Sequence, residues 1–297
     1  MATVETNGIT VEYEVEGAGD PLLLIMGLSG QLVDWSRGFL DELLARDFRL
    51  IRFDNRDAGL STEFTMTPPT TAQLAKAILL RRPLDAEYHL TDMAADAAGL
   101  LDALGIDRAH VIGISMGGMI AQTLAIEHPD RVRSLTSIMS TTGNRKVGRV
   151  SPKLMRKFVR REVPTRETAV DLGVKTFGDI CGPTFDEEEF RKLAAVSVER
   201  SFRPAGAARQ TAAIIASPDR TEALQQLDVP TLVVHGLLDP LVRPSGGIAT
   251  ARAIPGSRLL MFNDMGHDLP RTRWAEIADE IRRNADRAAA RERSVVV

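Results

Sequence analysis

The chain has 297 residues, 44% of them hydrophobic, with 37 Lys and Arg against 40 Asp and Glu for a net charge of −3. That is enough apolar side chain for one large core, and the near balance of charge leaves no electrostatic footprint for nucleic acid or an anionic membrane. A single cysteine, Cys181, excludes an internal disulfide framework and suits a reducing, cytoplasmic compartment. The first residues lack the positive region and apolar run of a signal peptide. No uninterrupted apolar stretch reaches the roughly 18 residues that a membrane span needs. No cluster of Cys, His or carboxylates has metal-ligand spacing, so no metal is expected.

Taken in chain order, residues 4–15 alternate in polarity around Asn7-Gly8 and predict a hairpin at an antiparallel sheet edge. Strands are predicted at 22–25, 49–53, 109–114, 132–138, 231–236 and 258–262. Helices are predicted near 39–45, 90–104 and 116–128, the last ending before Pro129. This alternation is the α/β class: a mostly parallel, twisted sheet with helices on both faces, whose ligands bind at the carboxyl edge of the strands. Two stretches break it. Residues 144–226 carry helical patterns at 152–161, 166–177, 187–200 and 205–216 and no strand. Residues 67–87 contain Pro68-Pro69 and an amphipathic run at 74–80, which reads either as a surface helix on the core or as a second lid. The Arg- and Ala-rich tail from 284 to 297 predicts a helix that frays at its end.

The chemistry-bearing motif is Gly113-Ile114-Ser115-Met116-Gly117. Average composition produces such a spacing by chance in roughly one chain of this length in ten. A buried strand before it and a helix after it make it far more specific. Ser115 then sits on a strand-to-helix elbow, where a side chain at Gly113 or Gly117 would collide with backbone. A serine hydroxyl needs a base, and the base needs an orienting acid. In elbow architectures these follow in the order Ser, acid, His, each just past a later strand. Asp239 follows the strand at 231–236, and His267 follows the strand at 258–262. Asp264 and Asp268 compete for the acid role but crowd His267 in sequence and read as loop groups. His89, His110, His128 and His235 read as structural or solvated. The loop after the strand at 132–138 reads Ser140-Thr141-Thr142-Gly143 and offers no carboxylate. Oxyanion donors are expected from the Met116 amide, at the start of the helix, and from the Leu28 amide, after the bend that Gly27 permits.

With these residues in place, the chain resembles the α/β-hydrolase fold enzymes across nearly its whole length. Met26-Gly27 stands where that family usually shows His-Gly, a change that spares the hole because its donor is backbone. Asp54-Asn55-Arg56-Asp57-Ala58-Gly59-Leu60-Ser61 resembles the family's Asp-x-Arg-x-x-Gly-x-Ser turn, and together with Asp34-Trp35 is particularly similar to the bacterial aclacinomycin methylesterase type. Arg56 and Asp57 are expected to form a structural ion pair that steadies this turn. The resemblance implies an α/β-hydrolase core of residues 1–143 and 227–297, with a helical cap inserted at 144–226. It also implies a serine hydrolase that cleaves a carboxylic ester of a small to medium apolar molecule and needs no cofactor. The alternatives on the same triad are a lactonase, a carbon–carbon bond hydrolase or a cofactor-free perhydrolase; a ligand receptor with little turnover is the one alternative outside enzymes. The expected partner is the small-molecule ester, with no nucleic acid and no membrane, and the sequence is compatible with a homo-oligomer. Phe158, Phe177, Phe185, Phe190 and Phe202 are candidate pocket walls. Deleting the cap is expected to blur selectivity more than it disables Ser115.

Overall fold

The computed structural model describes residues 1–80, 84–159 and 162–295. Eight strands form one sheet: β1 (Ala2–Thr6), β2 (Ile9–Glu16), β3 (Asp20–Ile25), β4 (Phe48–Phe53), β5 (Ala109–Ile114), β6 (Val132–Ile138), β7 (Thr231–Gly236) and β8 (Arg258–Phe262), in the order β1-β2-β4-β3-β5-β6-β7-β8. The hairpin β1–β2 turns at Asn7 and Gly8, both at positive φ, and pairs antiparallel with β4. Every pairing from β4 to β8 is parallel.

Period-two alternation sends the side chains of β3, β4, β5 and β6 to two separate cores. Leu23 and Ile25 of β3 face one layer with α3 (Leu90–Ala103) and α4 (Met116–Glu127), where Leu100, Leu101, Ile120 and Leu124 are buried. Leu22 and Leu24 face the other layer with α1 (Arg37–Leu44) and α11 (Trp274–Val295), among Phe39, Leu43, Ile277 and Ile281. The tail is helical to Val295, and Glu292 ties it to Arg133 and Arg108 at 3.0 Å each; the frayed end expected at 296–297 lies outside the described residues.

Between β6 and β7 run α5 (Pro152–Val159), α6 (Ala169–Gly178), α7 (Glu187–Arg200), α8 (Pro204–Ala216) and α9 (Thr221–Leu224), and α10 (Ser245–Ala253) joins β7 to β8. Two residues of the helix predicted at 152–161 lie outside the described residues. The amphipathic run folds as α2 (Thr71–Leu80), which packs against α8 and α5 rather than on the sheet; residues 81–83 of the same stretch lie outside the described ones. Between α6 and α7, the Phe190 ring meets those of Phe177 and Phe185 at tilted angles, with centroids 4.2 and 5.6 Å away. Among the described residues no helix is long and apolar enough to cross a membrane.

One buried group sets a pH limit on this fold. His110 on β5 is 1% exposed, with Nδ1 2.8 Å from Ser134 Oγ and Nε2 without a partner among the described residues. Burial first, and Arg133 nearby, push its pKa from 6.5 down to about 4. Between those values the unfolded chain takes a proton that the folded chain refuses, so stability is lost as pH falls from 6.5 towards 4. The loss from this residue is about 3 kcal/mol. Urea unfolding at pH 7.5 and 4.5 should show wild type losing more stability than His110→Gln by that order; equal losses would show that His110 is not held neutral.

Candidate active site

Ser115 follows β5 and caps α4 with φ 54° and ψ −118°, in the left-handed region. Such a conformation costs about 1–3 kcal/mol and persists only where neighbours impose it. Here its N–H donates to Ile138 O at 2.9 Å, and its carbonyl accepts from Ser140 Oγ at 2.8 Å and from Gly118 N at 3.0 Å. The elbow leaves no room for side chains beside it. A β-carbon at Gly113 would lie 2.0 Å from Gly117 O, and one at Gly117 would lie 2.1 Å from Ile25 O.

The parallel strands bring their carboxyl ends to one edge, but β7 and β8 stand two and three strands from β5, roughly 10 and 14 Å at the usual spacing. The loops must therefore reach back. Asp239 leaves β7 and is held by its Oδ1, which accepts the Leu241 and Val242 amides at 2.8 and 2.9 Å. Its Oδ2 lies 2.7 Å from His267 Nδ1, and His267 Nε2 lies 3.0 Å from Ser115 Oγ. A carboxylate only accepts, so Nδ1 carries the proton and the Nε2 lone pair faces the hydroxyl. Asp239 is 2% and His267 7% exposed, which keeps water from competing for this chain of bonds. Asp264 pairs instead with Arg273, and Asp268 Oδ1 accepts the Gly182 and Gly266 amides at 2.9 Å each.

On the other side of Ser115, a β-carbon at Gly27 would lie 3.3 Å from Ser115 Cβ, so the loop after β3 runs against the serine. Neither the Leu28 nor the Met116 amide has an acceptor among the described residues. Met116 is fully buried, while the Leu28 side chain is 41% exposed.

Three features differ from the sequence reading. Arg56 and Asp57 do not pair with each other. Arg56 grips Asp96 on α3 with Nε and Nη2 at 2.7 Å each and lies over the rings of Phe64 and Tyr88. Asp57 takes Arg209 of α8 at 2.7 and 2.8 Å and the Tyr88 hydroxyl at 2.7 Å. Adjacent residues point apart as the chain turns, and each charge buried here needs its own partner. Second, His235 takes the structural of the two roles read for it, but in a place the sequence reading did not give: it is fully buried against Asp239. Its Nε2 donates to Val242 O at 2.7 Å and stands 3.5 Å from Asp239 Oδ2, and burial holds its pKa below the usual histidine value. Its position four residues before Asp239, at the strand's end, was the available signal. Third, the segment between α6 and α7 supports the histidine loop directly: His267 N–H donates to Ile180 O at 2.7 Å. Deleting residues 144–226 would therefore remove a support of His267 along with any effect on selectivity.

Comparisons with known proteins agree with this architecture. Rhodomycin D methylesterase of Streptomyces sp. (strain C5) is 28% identical, over 86% of this chain and 88% of its own length. The 2-hydroxymuconate semialdehyde hydrolase of Pseudomonas sp. (strain CF600) is 28% identical, over 95% of this chain and 93% of its own. A thermophilic esterase from Thermogutta terrifontis superposes with a TM-score of 0.72 at 25% identity, covering 97% of this chain and 99% of that one. The family model described as the alpha/beta hydrolase fold matches residues 20–270, from β3 to the loop that carries His267. On that match and on the sheet order above, the chain belongs to the α/β hydrolase fold family.

Proposed function

We propose that the chain is a carboxylic ester hydrolase working through an acyl-enzyme, and the observation that carries this is the unbroken hydrogen-bond chain Asp239–His267–Ser115. Ser115 Oγ attacks the ester carbonyl while its proton passes to His267 Nε2, and the carbonyl π electrons move to the oxygen. The Leu28 and Met116 amides receive that oxyanion, each worth about 3 kcal/mol. The tetrahedral centre collapses, the C–O bond to the alcohol breaks, and His267 returns the proton to the leaving oxygen. Water then repeats the sequence on the acyl-enzyme and frees the acid and Ser115. Asp239 holds the imidazole in the tautomer that makes each transfer work.

Residues 144–226 act as a cap over this edge of a core made of 1–143 and 227–297, and they shape the pocket for an uncharged, apolar ester of a small alcohol. The rhodomycin D methylesterase relatives support a methyl ester as substrate, and the lone cysteine supports action in the cytoplasm. The test is a panel of p-nitrophenyl esters of rising chain length together with methyl esters of aromatic polyketides. Short and medium esters should turn over many times per enzyme and outrun long ones, without interfacial activation. Stoichiometric release with no turnover would mark a binder. The 2-hydroxymuconate semialdehyde hydrolase relative favours one second reading, cleavage of such a semialdehyde by the same triad. Faster turnover of that compound than of any ester would select it.

A further inference from the structure

The loop Met26–Gly30 has one peptide of special interest, the Gly27–Leu28 unit whose N–H is the proposed oxyanion donor. Three hydrogen bonds fix the chain around it. Gly30 N donates to Gly27 O at 3.1 Å, closing a turn. Because a trans peptide is planar, with its N–H opposite its C=O, a Gly27 carbonyl turned into the turn sends the Leu28 N–H out of it. The peptide before is held by Asn55, whose Nδ2 donates to Met26 O at 3.0 Å. The peptide after is held by Gln210, whose Oε1 accepts from Ser29 N at 2.7 Å. Ser29 sits at φ 57°, a conformation that a serine adopts at a cost and that this bond helps to retain.

Gln210 belongs to α8, 181 residues away, and is fully buried. Its amide orientation is determined, since Nε2 donates to Arg56 O at 2.7 Å and only the oxygen can face the Ser29 N–H. The preceding residue, Arg209, clamps α8 onto Asp57. The cap thus places one side-chain oxygen on the oxyanion loop from a fixed helix.

We propose that Gln210 is a positioning residue for the oxyanion hole: by holding Ser29 N–H it keeps the Leu28 amide aimed at the developing alkoxide. This rests on the ester-hydrolase reading above. A donor misaimed by a flexible loop serves the transition state less than it serves the ground state, so the loss belongs in kcat rather than in KM.

The experiment compares wild type with Gln210→Met, which keeps the length and loses both bonds, and Gln210→Glu, which keeps an acceptor for Ser29. The probe beside the ester is a trifluoromethyl ketone. Its carbonyl carbon bonds to Ser115 Oγ, the proton passes to His267, and the charge rests on the ketone oxygen in the hole. Gln210→Met should lose about 10- to 100-fold in kcat, with KM within about threefold, and should bind the ketone more weakly by the same factor as kcat. Gln210→Glu should keep most of the ketone affinity even where its melting temperature drops, and if the methionine variant does not fold, Gln210→Ala, which also loses both bonds, takes its place in the comparison. A methionine variant that binds the ketone as tightly as wild type, or a glutamate variant as weakened as the methionine one, overturns the role of Gln210. A wild type inert to both ester and ketone overturns the ester-hydrolase reading instead.

Discussion

Ser115→Ala should lower kcat for any ester the enzyme turns over by about five to six orders of magnitude while leaving the fold intact. In the proposed mechanism the hydroxyl is the attacking atom, and its side-chain partner among the described residues is His267 Nε2. Alanine keeps the strained backbone and removes an atom from a half-buried position, so stability should change by no more than about 0.5 kcal/mol. The elbow bonds to Ile138 and Ser140 are made by the Ser115 main chain and survive the change. Active-site titration with a fluorophosphonate should label wild type at Ser115 and leave the variant unlabelled. Substantial turnover by purified variant, with the melting temperature unchanged, would remove Ser115 from the mechanism.

The second large effect separates the carboxylates. In Asp239→Asn the side-chain oxygen is claimed by the Leu241 and Val242 amides, which need an acceptor. The new NH2 group then faces His267 Nδ1 and can only donate to it. The imidazole must shift its proton to Nε2 and present an N–H to Ser115, which is the tautomer that cannot act as a base. The expected loss in kcat is about 10⁴-fold. Asp264→Asn disturbs only the pair with Arg273, and Asp268→Asn still offers an oxygen to Gly182 and Gly266, so each should cost less than about tenfold. Side-by-side kinetics with thermal melts check this, and similar losses at all three positions would put the acid elsewhere.

The sheet, and the meeting of Ser115, Asp239 and His267 at one edge of it, were legible in sequence because each depends on local signals. A short apolar run marks a strand, and in a parallel sheet the residues just past such strands share one edge. Asp239 and His267 needed no more than that rule. The ion pairs of the turn after β4 were not legible. Arg56 finds its partner 40 residues on, at Asp96, and Asp57 finds its partner 152 residues on, at Arg209. Chain adjacency suggested a pair, and packing against two different helices decided otherwise. Gln210 carried no signal at all, since a glutamine on a helix reads as surface until the helix is docked. The amphipathic run at 74–80 announced a helix but not its neighbours, because periodicity gives a face and not what covers it.

The bond from His267 N to Ile180 O bears on how this protein could diversify or be re-engineered. Exchanging the 144–226 segment for that of a relative, in the hope of importing a new substrate range, would transplant part of the catalytic scaffold as well. A graft would have to return a backbone carbonyl beneath the histidine loop and an acceptor for Ser29. Chimeras that restore both should keep turnover and change selectivity; those that match only the pocket walls should come out folded and slow.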